Sequence, residues 1–343
     1  MVTVDWQLAE RVGLRLHSKG PQVDPPDAHH VVAELRELAQ LARDPVRELT
    51  GLEADPDLSP AVVVDRGEWI RSNLTGFQVA LAPLLADGDG SSVVDAVGSR
   101  VTGLELGAVL SWLSGKVLGQ YEAFVAPGQS GRLLLVAPNI VQVERELDLV
   151  PRDFRYWVCL HEETHRAQFG GVPWLSDYFL GQVHDLIEAS DVPASEMLRR
   201  ITAAGGAVVG AVRGSGTDSL MEAMQTPAQR VIFDRLTGLM SLLEGHADYV
   251  MDEVGPTHVP TVAVIRERFE VRRKHTGSID GFARRLLGME AKLRQYSQGA
   301  AFVRGVIERS GPDGFAQVWA AAENLPTAAE IEDPDGWTRR VLG

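Results

Sequence analysis

The residues most able to do chemistry lie in the stretch Trp157–Phe169, W-V-C-L-H-E-E-T-H-R-A-Q-F, which contains the H-E-x-x-H pattern His161-Glu162-Glu163-Thr164-His165. On an α-helix each residue advances about 100°, so residues four apart share a face. His161 and His165 would then present two imidazole nitrogens to one cation, and neutral imidazole suits Zn²⁺. Glu162 follows about 100° round, close enough to hold a water without ligating a metal, whereas Glu163 lies about 200° round and should face away. The plainer reading is an amphipathic helix with two ordinary histidines, so the flanks must decide. Pro151 and Asp153 mark a start, with Asp153 as N-cap. An apolar run from Phe154 to Leu160 embeds the helix, and Gly170-Gly171 with Pro173 stops it.

A second polar cluster interrupts the apolar stretch 226–255. Thr226 caps it, Pro227 takes the first helical position and Gly255-Pro256 should end it. Inside lie Glu244, His246 and Asp248. Buried carboxylates cost several kcal/mol unless offset, so two acids and a histidine in one buried turn suggest a cation. Glu244 and Asp248 share a face, which allows one to ligate and the other to hydrogen-bond a ligand histidine. Glu244 is the preferred third ligand and His246 the alternative. The competing reading is an exposed polar face. Tyr296 is the candidate phenol for stabilising an oxyanion, with Tyr249 and His184 as competitors and an ordinary helix contact as the plainer role.

The elements that must position these groups read as mainly helical. Helices are expected over 27–49, capped by Asp27, and over 69–85. The run 101–124, with Gly103, Gly107, Gly115 and Gly119 at multiples of four, reads as one core helix with a smooth packing stripe. Gly131–Pro138 is the best strand, reaching the H-E-x-x-H helix by a short connection. Its edge could pair with a substrate backbone, or the strand could simply complete the core. Glycines between 205 and 216 mark a linker or mobile loop, a further helix is expected over 288–304, and the tail beyond Asn324 reads as irregular. The expected parts are an N-terminal helical region 1–130, a metal-binding core 131–255 and a C-terminal helical region 256–343, forming one unit.

Composition narrows the function further. The net charge of −14 over 343 residues argues against nucleic acid and anionic membranes as partners. No apolar run is long enough to span a bilayer, and no secretory leader is evident. The one cysteine, Cys159, excludes an internal disulfide framework and fits a reducing compartment, so the cytoplasm is the expected location. It lies about 200° from His161 on the helix and reads as a packing residue. Nucleotide-binding glycine loops and the G-x-S-x-G nucleophile turn are absent.

The two polar clusters together carry a resemblance. H-E-E-T-H followed by E-G-H-A-D is similar to the gluzincin arrangement, H-E-x-x-H … E-x-x-x-D. The chain further resembles an actinobacterial zincin-like family of zinc-dependent metallopeptidases, through V-D-W-Q-L-A, G-R-L-L-L-V-A-P-N-I, V-P-W-L, L-E-G-H-A-D-Y-V-M-D, K-L-R-Q-Y-S-Q-G-A-A-F-V and E-N-L-P-T. One branch of that family is described as associated with coenzyme F420 biosynthesis. The resemblance implies a zincin-like helical domain with a small β element before the H-E-x-x-H helix. It also implies zinc held by His161, His165 and Glu244, Glu162 as base, and Asp248 behind a ligand. The interval from His165 to Glu244 is far longer than in thermolysin-like enzymes. The expected activity is metal-assisted hydrolysis of a peptide or amide substrate. A zinc-binding accessory protein of F420 biosynthesis without peptidase activity is the alternative, and a metal-free helical scaffold the third reading.

Overall fold

A computed structural model describes residues 4–53, 59–85, 93–125, 131–189, 227–275 and 296–343. The expected linker at 205–216 and the first part of the helix expected over 288–304 lie outside these residues. The described chain is mainly helical, with one small sheet. Helices α1 (Trp6–Leu16) and α2 (Pro25–Thr50) precede strand β1 (Val62–Val64), and helices α3 (Arg66–Leu85) and α4 (Val93–Ser114) follow it. Strands β2 (Gly119–Tyr121) and β3 (Leu133–Val136) then lead into α5 (Ala137–Glu146), α6 (Pro151–Gly171) and α7 (Leu175–Glu188). After 226 come α8 (Pro227–His258), α9 (Val262–His275), α10 (Tyr296–Ala316), α11 (Ala328–Glu332) and α12 (Pro334–Val341).

The sheet has the order β1-β3-β2, with β1 parallel and β2 antiparallel to β3. All four residues of β3 are buried. Their alternation splits them between two cores: Leu133 and Leu135 join α2, α6 and α8, whereas Leu134 and Val136 join α1, α3 and α4. The expected strand is therefore central and has no free edge. The edge belongs to β2. The run 101–124 is correspondingly not one helix: α4 ends at Ser114, and Asn139 Nδ2 donates to the Ser114 and Val117 carbonyls at 2.7 and 2.5 Å. That tertiary cap turns the chain into β2, so Gly119 sits in a strand and leaves the glycine stripe.

Other boundaries differ for equally local reasons. Helix α2 starts at Pro25 after Asp24, with Asp27 already inside its first turn. Val150 is the N-cap of α6, while Asp153 accepts hydrogen bonds from Thr261 N and Oγ1 at 2.9 and 2.6 Å. Helix α5 stands between β3 and α6, where a short connection was expected. Helix α8 continues through Gly255 and Pro256 to His258; its Thr226 cap lies outside the described residues. The tail beyond Asn324 is helical rather than irregular. Thr327 and Glu330 form a reciprocal capping box, Asp333 caps α12, and Trp337 is fully buried.

Helix α6 is fixed at its N-terminal end by charge. Arg155 reaches Glu34 of α2 at 2.6 Å and Glu144 of α5 at 2.7 and 3.0 Å, all three side chains being buried. Further along, Cys159 is fully buried and packs against α2, as its position on the helix implied.

Candidate metal centre

The helical period carries out what the spacing demanded. His161 and His165 occupy successive turns of one face of α6, and Glu244 approaches from α8. The His161 and His165 Nε2 atoms are 3.1 Å apart. Glu244 Oε2 lies 3.7 Å from His161 Nε2, and Oε1 lies 3.6 Å from His165 Nε2. Tetrahedral ligation by nitrogen and oxygen at about 2.0–2.1 Å sets ligand atoms roughly 3.3 Å apart. The three side chains fit one ion of that kind, and among the described residues they form the sole such group of three or more. All three are half-buried.

The histidine nitrogens behind this face are held by two different partners. Gln168 Nε2 donates to the Leu243 carbonyl at 3.0 Å, which fixes the orientation of its amide. Its Oε1 then accepts from His165 Nδ1 at 2.9 Å, leaving the Nε2 lone pair of His165 aimed at the centre. The same amide nitrogen lies 3.1 Å from His246 Nδ1. His246 is thus placed behind Gln168, fully buried against Phe315 and Trp319, and outside the group that converges on the centre. Burial, with His165 nearby, lowers its pKa to about 3 and keeps it neutral. His161 Nδ1 lies 3.2 Å from Met251 Sδ, two helical turns beyond Glu244. Asp248 is half-buried, and its backbone carbonyl accepts from Arg266 at 3.2 Å.

The two glutamates of the motif separate as expected. Glu163 turns away and pairs with Arg166 at 2.7 Å inside the protein; burial lifts its pKa to about 7 despite Arg166 and Arg43. Glu162 is buried beside the triad. Burial pushes its carboxyl well above the usual carboxylate range, and the charges of Glu244 and Glu163 push the same way. Its carboxylate lies flat against Gly119 of β2. A Cβ on Gly119 would meet Glu162 Cδ at 2.5 Å, Cγ at 2.6 Å and Oε1 at 2.7 Å.

A cleft of about 350 Å³ opens over these groups, lined by α3, β2 and the segment after it, α6, α7 and α8. Its β2 wall has a definite polarity. Leu118 accepts from Val136 and Glu122 donates to Arg132, both at 2.8 Å, and Gly119 and Tyr121 stand opposite Leu135 and Leu133. Hydrogen-bonded pairs alternate along such a ladder, so the backbone groups of Gly119 and Tyr121 point outward, away from β3. Sequence reasoning missed both this edge and Gln168. The signal for Gln168 was its place three residues after His165.

Among the candidates for stabilising an oxyanion, His184 Nε2 donates to the Ala80 carbonyl at 2.6 Å. Neither it nor Tyr249 lines the cleft. Tyr296 opens α10, and its side chain lies outside the described residues.

Paired histidines one turn apart, a carboxylate from a later helix and a buried glutamate beside them define a zincin-type centre on a mainly helical scaffold. A family model described as zincin-like metallopeptidase matches residues 4–338, and the chain belongs to that family. It is also similar to a solved structure from Chloroflexus aurantiacus, described as a candidate hydrolase with a novel fold. The identity is 30%, 98% of each chain is covered and the TM-score is 0.72. No curated protein matches. Among the described residues no helix is long and apolar enough to cross a membrane.

Proposed function

We propose that the chain is a zinc-dependent hydrolase of peptide or amide bonds, with His161, His165 and Glu244 as metal ligands and Glu162 as general base. The observation that carries this reading is the placement of Glu162. A carboxylate costs several kcal/mol to bury without compensation, yet this one is buried beside three convergent ligands and at the base of a cleft. A protein that only bound the metal would have no use for it there.

When bound, zinc supplies a Lewis acid that acidifies water and polarises a carbonyl. Glu162 takes the proton from water at a carboxylate oxygen and later delivers it to the leaving nitrogen. Gln168 holds His165 in the tautomer that ligates. The outward backbone groups of Gly119 and Tyr121 offer hydrogen bonds to an extended substrate laid along β2. The edge expected of the longer strand is in this reading supplied by the shorter one.

The test is zinc content and peptide hydrolysis measured together on wild type, Glu162→Gln and His161→Ala. About one zinc per chain in wild type and Glu162→Gln, with hydrolysis in wild type only, supports the assignment. Hydrolysis retained by Glu162→Gln would remove the base. Zinc in both with hydrolysis in neither favours an accessory role, such as the one suggested by the resemblance to F420-associated proteins.

A further inference from the structure

We propose that the cleft selects a large apolar side chain, aromatic above all, on the acyl side of the bond it cleaves. The inference rests on the hydrolase reading and extends it to the substrate.

Its first basis is where the apolar surface lies relative to the ligands. Phe169 follows His165 by one turn of α6, and Met240 precedes Glu244 by one turn of α8. Because Met251 meets His161 while Leu243 meets Gln168, the two helices run antiparallel. Phe169 and Met240 therefore fall on the same side of the metal centre. One helical turn displaces them by about 5.4 Å, between one and two residues along an extended chain that rises about 3.3 Å per residue. Phe124 and Phe179, stacked at 5.4 Å with their planes 4° apart, extend the cleft wall, and Phe169 itself stacks on Tyr121 at 5.8 Å. All five of these side chains are half-buried, so each keeps a face for a ligand.

The second basis is direction. Gly119 lies on Glu162 and Tyr121 on Phe169, so β2 runs in the same sense as α6. A chain pairing antiparallel with β2 enters at the Tyr121 end and reaches Glu162 at the Gly119 end. Residues before the attacked carbonyl then lie over the aromatic wall. The third basis is charge. The charged side chains lining the cleft are Glu122, Glu162 and Glu244, with Glu122 taken by Arg132 at 2.7 Å and by Ser72. Among the described residues that line the cleft there is no lysine or arginine to pair with an acidic substrate side chain, so burying one there is unfavourable.

The experiment uses the zinc-loaded full chain and a mixture of end-blocked peptides with one randomised central segment, the cleavage sites being mapped by mass spectrometry. Phe, Tyr, Trp, Leu or Met is expected on the acyl side, with kcat/KM at least about tenfold above Ala and Asp lower still. Phe169→Ala should shrink the Phe-over-Ala ratio. An indifferent acyl side, an apolar preference confined to the amine side, or a ratio untouched by Phe169→Ala overturns the proposal. Binding of N-acetyl-phenylalanine, N-acetyl-alanine and N-acetyl-aspartate hydroxamates to the same zinc-loaded protein separates the two readings. Tighter binding of the first without any peptide cleavage would sink the hydrolase reading and keep the subsite. Equal binding of all three removes the subsite whatever the catalytic result.

Discussion

Gly119→Ala tests the contact between β2 and the proposed base with one methyl group. The new Cβ would stand 2.5 Å from Glu162 Cδ and 2.7 Å from Oε1, whereas carbon atoms in ordinary contact stay about 3.5–4.0 Å apart. The carboxylate is the end of a flexible side chain, so it would retreat by about 1 Å while the backbone stayed in place. Gly119 does not hold a positive φ, and alanine fits its extended backbone. Stability should accordingly be unchanged, or raised by a few tenths of a kcal/mol through the less flexible unfolded chain. A 1 Å misplacement of a catalytic group costs about 100-fold in rate, or about 2.7 kcal/mol. The expected result is wild-type melting temperature and zinc content with kcat lowered by about two orders of magnitude. In the Glu162→Gln background the same change should add nothing, since the two act through one group. Full activity in Gly119→Ala, or additive losses in the double variant, would refute the placement of the base against β2.

Gln168→Ala should weaken zinc binding by about 10–100-fold, because His165 loses the acceptor that fixes its tautomer; competition with a chelator measures this, and an unchanged affinity would dismiss the role. Arg155→Ala leaves Glu144 buried without its partner and Glu34 with Arg152 alone, and should cost about 3–5 kcal/mol at neutral pH, read by urea unfolding. The pH dependence follows from Glu34. Burial pushes its carboxyl up, but hydrogen bonds from Arg155 and Arg152, with their charges, hold it below the usual range. A depressed folded pKa contributes stability above the unfolded value of about 4.3, and that contribution is lost as pH falls through the folded one. The gap between wild type and Arg155→Ala should therefore narrow below about pH 4; a gap that stayed constant into acid would mean that the pair contributes nothing through Glu34.

The parts of the centre that lie on single helices were legible because a helix fixes its own faces. His161, Glu162, Glu163 and His165 needed nothing beyond the 3.6-residue period. Glu244 was legible as chemistry, from a carboxylate in an apolar stretch, while its meeting with α6 could be only inferred. His246 shared that signal and so stood as the alternative ligand, since a buried neutral histidine that meets an amide looks in sequence like a ligand. Strand β2 was not legible at all. Its three residues lie in a run whose glycines continue a helical stripe, and what ends α4 is remote: Arg66 Nε donates to Asn139 Oδ1 at 2.7 Å, and Asn139 caps the turn. The two C-terminal helices did carry a local signal, the T-A-A-E capping box, inside a segment that otherwise read as irregular.

The long interval between His165 and Glu244 costs the centre little, because the third ligand is positioned by helix packing. Gly245, the next residue after Glu244, lies against Gly299 of α10, with neither having room for a Cβ. Helices usually pack with axes about 8–10 Å apart; two facing glycines allow backbone to touch backbone. In front, the amide of Gln168 bonds the Leu243 carbonyl, the residue just before Glu244. Helix α8 is thus gripped on both sides within one turn of its ligand. With that grip made by α6 and α10, the place of the carboxylate does not depend on the number of residues that join α6 to α8. Their length can vary without moving the carboxylate, which is why a spacing unlike that of thermolysin-like enzymes is compatible with the same three donors.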